Sequence, residues 1–465
     1  MRRSRTWPVL LLVLVFAGGC SLHPRWPDTE DAAARLTGVS QPIVIDVTGG
    51  QLDTPGLEHD VLTQAQAVRL ALMTDPSIQA AFARVRLAYA EAQQERLLPN
   101  PILTVLVKFP TAGGAPIVEP SIAADLLALV QKPGRVKAAD HRLRAASAEA
   151  VTAVLDVLAL LQDRYVEAQA LDALIPVLEE RRRLIDRLLE IAQSRLKGGE
   201  GTRLDVTTLE TQKVELEVEI AERTLERREA RLELARLIGR PSAAADWKLD
   251  AWVELVATSQ GEHAWIQAGL EHRPEISARM WELSALGVEF RLARWSIFDG
   301  TEIGAEAEGT AESGADDWAV GPAFTVPIPI FDWGQAKRDV VAAKRLEAAH
   351  QLTQARRQTV EEVRRAYWAF QVSLDTYGRV KNQLIPLQER RRQEAESQYR
   401  AGQSDVIPLI LADQDLQTAR AKLVDLERKA SASLVRLQRA VGGPGVVPGQ
   451  PTTQPAEVRP TTQPN

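Results

Sequence analysis

Apolar residues recur along most of this chain at alternating steps of three and four. Val151, Val154, Leu158, Leu161, Tyr165 and Ala168 step in this way, and Val360, Val363, Tyr367, Phe370, Leu374 and Tyr377 repeat the steps in the same register. A third run, Leu416, Ala419, Leu423, Leu426, Ala430, Ser433 and Leu437, continues the rule. A 3.5-residue period is a seam for packing helix on helix. Bounded by breakers, the pattern predicts helices over roughly 62–98, 134–197, 203–238, 263–294, 335–400 and 406–440. At about 1.5 Å per residue the middle helix of each trio approaches ~100 Å and its neighbours about half that. Two short helices stacked end to end would match one long partner, which implies a rod or a tube.

The trios are copies of one another. Asp75-Pro76 recurs as Arg273-Pro274, Tyr165 as Tyr367, Gly199 as Gly402, and Gly239-Arg240-Pro241 as Gly442-Gly443-Pro444. Between the first and second helices of each copy the period changes to two. Ile102 to Val107 is apolar and β-branched, a turn falls at Thr111 to Gly114, and Pro116 to about Asp125 returns. The second copy offers Thr301 to Gly309, a turn near Ser313-Gly314, and Trp318 to Phe331. Glu302, Glu306 and Glu308 alternate with Ile303, Ala305 and Ala307, so the glutamates share one face of a strand. Each strand has about the 9–11 residues that a tilted membrane strand needs. Four strands cannot close a barrel, and an open edge in hydrocarbon leaves backbone groups unpaired, so membrane-spanning strands here require oligomerisation.

Composition supports helices over a β-sandwich: 465 residues include only ten Trp, five Tyr and eight Phe. A net charge of −6 gives no electrostatic case for nucleic acid as a partner. The single cysteine excludes an intrachain disulfide. It stands in an export signal: Arg2, Arg3 and Arg5 precede an apolar run from Val9 to Ala17 and then Gly18-Gly19-Cys20. This resembles a bacterial lipobox, with cleavage before Cys20 and lipid on its thiol, although Ala17 stands where Leu is usual. Ser21 after the cysteine implies sorting to the outer membrane. No transmembrane helix is expected after Ala17, so any spanning element would be a β-barrel.

With these residues in view, the chain from about Leu62 to Gly443 resembles the TolC-type outer-membrane efflux factors. The likeness is carried by Leu62-Thr63 and the run to Asp75-Pro76, by Leu97-Leu98-Pro99-Asn100-Pro101 before the first strand, and by Val326 to Gly334 entering the second long helix. It is carried also by the turns Arg195 to Val206 and Tyr399 to Gly402. The resemblance implies a mainly α fold with a small β-barrel contribution, in which long helical hairpins in two structural repeats join four transmembrane β-strands per chain. Three chains would form one α/β tube, a homotrimer. It further implies a periplasmic adaptor (membrane fusion) protein and an inner-membrane RND or ABC-type pump as partners, outer-membrane lipid around the barrel, and no cofactor.

The expected organisation is a signal peptide over 1–19, a lipidated linker over 20–61, repeats over 62–241 and 242–443, and a disordered tail over 444–465. In the family the hairpin turns meet the adaptor. The matching positions are Gly199, Thr202, Arg203 and Asp205 in the first copy and Gly402, Gln403, Ser404 and Asp405 in the second. Thr202 and Asp205 could equally cap the following helix. Where some members narrow the entrance with acidic residues, this chain has Pro408 and Leu411, with Asp405 and Asp413 nearby. Glu302, Glu306 and Glu308 are expected to face a water-filled lumen, because charge facing lipid at mid-bilayer costs a few kcal/mol. Trp318 and Trp333 are candidates for an interfacial belt, Trp281 and Trp295 for helix packing, and Phe331 for the barrel-to-helix junction. No metal-ligand spacing, nucleophile arrangement or phosphate loop points to an enzyme. The expectation is a passive outer-membrane exit duct of a tripartite efflux system; a type I protein-secretion duct and a structural periplasmic coiled-coil lipoprotein remain the alternatives.

Overall fold

The structure is a computed structural model that describes residues 26–38, 61–111, 113–199, 201–241, 244–252, 254–310, 318–401, 403–404 and 406–449. The signal segment and Cys20 lie outside the described residues.

Helix dominates. In chain order the elements are α1 (Thr29–Thr37), β1 (Val61–Leu62), α2 (Gln64–Thr74), α3 (Pro76–Gln94), β2 (Ile102–Lys108), β3 (Ile117–Asp125), α4 (Leu126–Lys197) and α5 (Arg203–Leu237). The same series follows a second time: β4 (Lys248–Leu249), α6 (Glu262–His272), α7 (Pro274–Leu292), β5 (Glu302–Thr310), β6 (Ala319–Thr325), α8 (Gln335–Arg379), α9 (Ile385–Arg400) and α10 (Val406–Val441). A 3₁₀ turn, Ala293–Phe298, leads from α7 to β5, and a π turn, Val380–Leu384, joins α8 to α9.

Contacts divide the chain into two compact units. One comprises Met1–Thr29, Ala81–Ala150 and Pro274–Ala355; the other comprises Glu30–Ala80, Val151–Arg273 and Arg356–Asn465. The division cuts across the sequence repeats, since each unit takes segments of both.

The first unit holds a four-stranded antiparallel sheet in the order β2-β3-β5-β6. α4 begins directly where β3 ends, because the Asp125 side chain accepts the Ala128 backbone N–H at 2.8 Å and caps the helix start. The sequence pattern places this start at roughly 134, next to Pro133-Gly134. The helix instead runs through both residues, and Gly134 serves close packing: a Cβ there would lie 2.5 Å from Leu292 Cδ2 of α7.

The second unit carries the helical seams. All six positions from Val151 to Ala168 in the first seam are buried. α4 also contains a window long and apolar enough by composition to cross a membrane, a feature that simple charge counting misses. In the second seam Val363, Phe370 and Tyr377 are buried while Val360, Tyr367 and Leu374 are only half-buried. Val363 and Phe370 pack with Trp265, Leu437 and Val441. Lower in the first hairpin, Leu178, Ile185 and Leu216 form a separate cluster.

Two end segments differ from expectation. Within the supposed linker, Thr29–Thr37 is helical, with Thr29, Ala33 and Thr37 buried. Within the supposed disordered tail, residues 444–449 are placed, Val446 is buried against the Trp265 cluster, and Gly445 N–H donates to Leu36 O at 2.9 Å. The ordering comes from contacts distant in sequence, which local composition does not register. Residues 450–465 lie outside the described residues.

Candidate functional site

Strand register sorts the sheet into two unlike faces. Directly opposed residues in an antiparallel pair point to the same side. The pairs Leu103↔Ile122, Val107↔Val118, Ala124↔Ile303, Ile303↔Phe324 and Ala307↔Val320 therefore put one side chain set on one face. With Val105 between Leu103 and Val107, this face is apolar from β2 to β6. Among the described residues nothing covers it: Leu103 is 68% exposed, Val320 74% and Phe324 66%.

The opposite face carries the polar groups. The pairs Asp125↔Glu302, Ser121↔Glu306 and Thr104↔Ser121 join Glu302 and Glu306 to it, and Glu308 follows by alternation. The three glutamates thus share a face, as their spacing predicts. Lys108 makes an ion pair with Glu119 on that face. Among the described residues none of Glu302, Glu306 and Glu308 has an ion-pair partner. β2 and β6 stand at the two ends of the sheet, each with one ladder edge unpaired.

The aromatic residues around the sheet divide differently from expectation. Trp281 does pack, stacking on His141 at 5.3 Å between ring centroids. Trp295 does not: it is 50% exposed beside Phe298. Phe331, expected to pack, is 94% exposed, and Trp333 is 58% exposed. Pro327 and Pro329 keep this segment out of both sheet and helix. Trp318 closes over Gly309, where a Cβ would meet its ring at 2.7 Å.

The first hairpin turn is described on both sides of Glu200, which lies outside the described residues. Gly199 has φ +78°, a left-handed conformation that glycine adopts without strain. Thr202 caps α5 with a reciprocal box: its hydroxyl accepts from Asp205 N–H at 3.1 Å, and Asp205 Oδ2 accepts from Thr202 N–H at 3.1 Å. A hydrogen bond from the Thr202 hydroxyl, and then that backbone N–H, hold the Asp205 carboxyl below its ordinary range. Thr202 and Asp205 are thus occupied with each other, while Arg203 and Leu204 project outward, Leu204 being 74% exposed. Leu204 was not among the positions that the sequence singled out at this turn, which were glycines and polar residues.

In the second turn Gln403 is exposed, its N–H donating to Gln398 O at 2.9 Å, and Ser404 is half-buried. Gly402 and Asp405 lie outside the described residues. Asp413 pairs with Arg392 at 2.5 Å, and Asp415 with Arg391 at 2.5 Å. The charge of Asp413 is therefore matched, which weakens an acidic constriction at this place.

The sequence pattern places Tyr165 in the first seam and as half of a repeat, without assigning its hydroxyl a partner. Its buried hydroxyl donates to Leu62 O at 2.8 Å and accepts from Asp250 N–H at 3.0 Å, tying α4 to the parallel pair β1 and β4. Burial pushes its pKa up to about 12. The signal lay in the tyrosine's polar tip within an apolar seam, which demands a partner.

Among the described residues no group of three or more His, Cys, Asp or Glu could hold a metal ion. A shallow recess of about 550 Å³ is lined by Arg357, Val360, Glu361, Arg364, Arg365 and Trp368 of α8 alone. Groups from separate elements do not converge there as a reaction site requires.

Residues 265–443 match the family of outer membrane efflux proteins. Among solved structures, the outer-membrane channel OprN is similar at 19% identity and a TM-score of 0.68, over 92% of this chain and 100% of that one. The outer membrane protein VceC of Vibrio cholerae is similar at 20% identity and a TM-score of 0.67, over 82% of this chain and 96% of that one. The MtrE outer membrane channel of Neisseria gonorrhoeae, solved in an open state, has 19% identity and a TM-score of 0.63, over 82% and 89%. At these identities the likeness is one of fold. No curated protein matches the chain at a significant level.

Proposed function

We infer that this chain, an outer membrane efflux protein by its residues 265–443, is the outer-membrane exit duct of a tripartite export system. The observation that carries the reading is the uncovered sheet, apolar on one face, acidic on the other and open at both ends. In water such a face would aggregate. In hydrocarbon the apolar face is satisfied, but each unpaired backbone group at an edge costs several kcal/mol. Joining β6 of one copy to β2 of the next removes every edge, and three copies give a 12-stranded barrel. Glu302, Glu306 and Glu308 then line the lumen as acidic rings, which keep it hydrated.

The duct does no chemistry of its own. Energy comes from an inner-membrane pump, delivered through a periplasmic adaptor that meets the hairpin turns at Arg203, Leu204 and Gln403. Lipid on Cys20 anchors the mature N-terminus to the outer membrane. The two sequence repeats, 62–241 and 242–443, supply equivalent hairpins to one ring of helices.

Cysteine labelling tests the sheet. In isolated outer membranes, Glu306→Cys reacts with a membrane-impermeant maleimide, and Val105→Cys reacts only with a lipid-soluble reagent. Equal labelling of both by the impermeant reagent contradicts the reading. Mass spectrometry of the mature N-terminus tests the anchor: an unlipidated product starting elsewhere removes it.

A further inference from the structure

Where the sheet gives way to helices, exposed aromatic residues gather on both connections. Trp295 and Phe298 precede β5, and Phe331 and Trp333 follow β6. Exposed Trp at this position marks a bilayer interface if the sheet is the spanning part. Just inward of it, two guanidinium groups from different helices converge on one ring. Arg294 lies 5.7 Å from the centroid of Phe290, and Arg345 of α8 lies 5.9 Å from the same centroid.

A ring face orients cations but does not neutralise them. Among the described residues neither arginine has a carboxylate partner. Neighbouring acids are engaged elsewhere: Glu289 pairs with Arg142, and Asp299 with Lys337 at 2.9 Å. Two like charges held toward one ring call for an anion between them. Guanidinium forks match the oxygens of a phosphate. Depth selects its source. Phe290 precedes Trp295 by five residues, about 7–8 Å along a helix, and the headgroup layer beyond the hydrocarbon is about 5–8 Å deep on each side.

We propose that Arg294 and Arg345, steered by Phe290, bind the phosphate of an anionic phospholipid headgroup at the periplasmic side of the outer membrane. The proposal rests on the reading of the sheet as membrane-spanning. It gives each chain a lipid contact independent of Cys20 and fixes the height at which the helices leave the bilayer.

The full-length protein is reconstituted in bilayers of phosphatidylethanolamine and phosphatidylglycerol in equal parts, then extracted in mild detergent, and its retained lipids are counted by native mass spectrometry. Wild type is expected to retain phosphatidylglycerol in excess. Arg294→Gln and Arg345→Gln each lower that excess by about fivefold, and Arg365→Gln, remote on α8, leaves it unchanged. An undiminished excess in the folded double variant, or no excess in wild type, overturns the proposal while membrane insertion stands. Failure of wild type to insert at all overturns the spanning reading itself. Should the double variant not fold, the wild-type excess must still fall steeply in high salt; an excess insensitive to salt is the contrary result.

Discussion

At the scale of residues, three side chains have separable consequences. From inside a seam, Tyr165 satisfies the Leu62 carbonyl of β1 and the Asp250 amide just after β4. Tyr165→Phe leaves both buried groups unpaired and should destabilise the protein by about 1–3 kcal/mol, read by thermal unfolding in detergent. Because its folded pKa rises to about 12 from 10.0, the contribution is complete below pH 10 and fades as pH rises toward about 12. His141 behaves oppositely. Its Nδ1 is buried without a hydrogen-bond partner, and burial, then the charges of Arg144 and Lys137, lower its pKa, opposed by Asp140. The neutral ring stacked on Trp281 is therefore the stabilised form. Its contribution is present above the ordinary histidine pKa and is lost as pH falls below it, so wild type should lose more stability than His141→Gln on acidification from pH 7 to about 5. Arg203 differs from both: it is exposed, and among the described residues its side chain makes no ion pair or hydrogen bond. A helix N-terminus favours negative charge, so Arg203→Glu should leave folding intact. Under the proposed function it should impair export in a deletion strain without lowering the amount of assembled protein. Unchanged drug or metal sensitivity would remove Arg203 from the adaptor surface.

At the scale of elements, the long helices, the hairpin turns and the four strands were legible because each is encoded by a local period. Steps of three and four gave the seams, and alternation gave the face shared by Glu302, Glu306 and Glu308. What was not legible depended on partners far along the chain. The start of α4 at Leu126 rather than near 134 goes with the packing of Gly134 against Leu292, far along the chain. Thr29–Thr37 and Val446 read as linker and tail because they draw on residues far along the chain: Thr29 bonds Ser147, and Val446 packs in a cluster with Trp265 and Leu36. Trp295 and Phe331 could be recognised as aromatic but not as exposed, since exposure depends on what an element lacks as a neighbour. The π turn Val380–Leu384 was likewise hidden within a continuous helical pattern. Pro386 lies two residues beyond it, has no N–H to donate and would crowd a regular preceding turn; the Ile385 N–H reaches back to Val380 O instead. Pro386→Ala should let this turn relax to α-helix, slowing amide exchange across 380–386 and raising the melting temperature. Exchange that is unchanged or faster would show that the π turn has another cause.

At the scale of the whole molecule, a single chain is an incomplete object. Among the described residues its sheet ends in two unpaired edges, one face is apolar and uncovered, and half of the second seam is only partly buried. No rearrangement of one chain closes four strands into a barrel around water. Under the proposed function, copies of the same chain supply what is missing, so assembly and membrane insertion belong to one account. The measurement that tests it most directly is single-channel recording from the purified, size-selected oligomer in planar bilayers. Discrete conductance steps are predicted, carried by the trimeric species alone and altered in cation preference when Glu302, Glu306 and Glu308 are changed to Gln; a trimer that inserts yet passes no current, or current from a monomer, would contradict it.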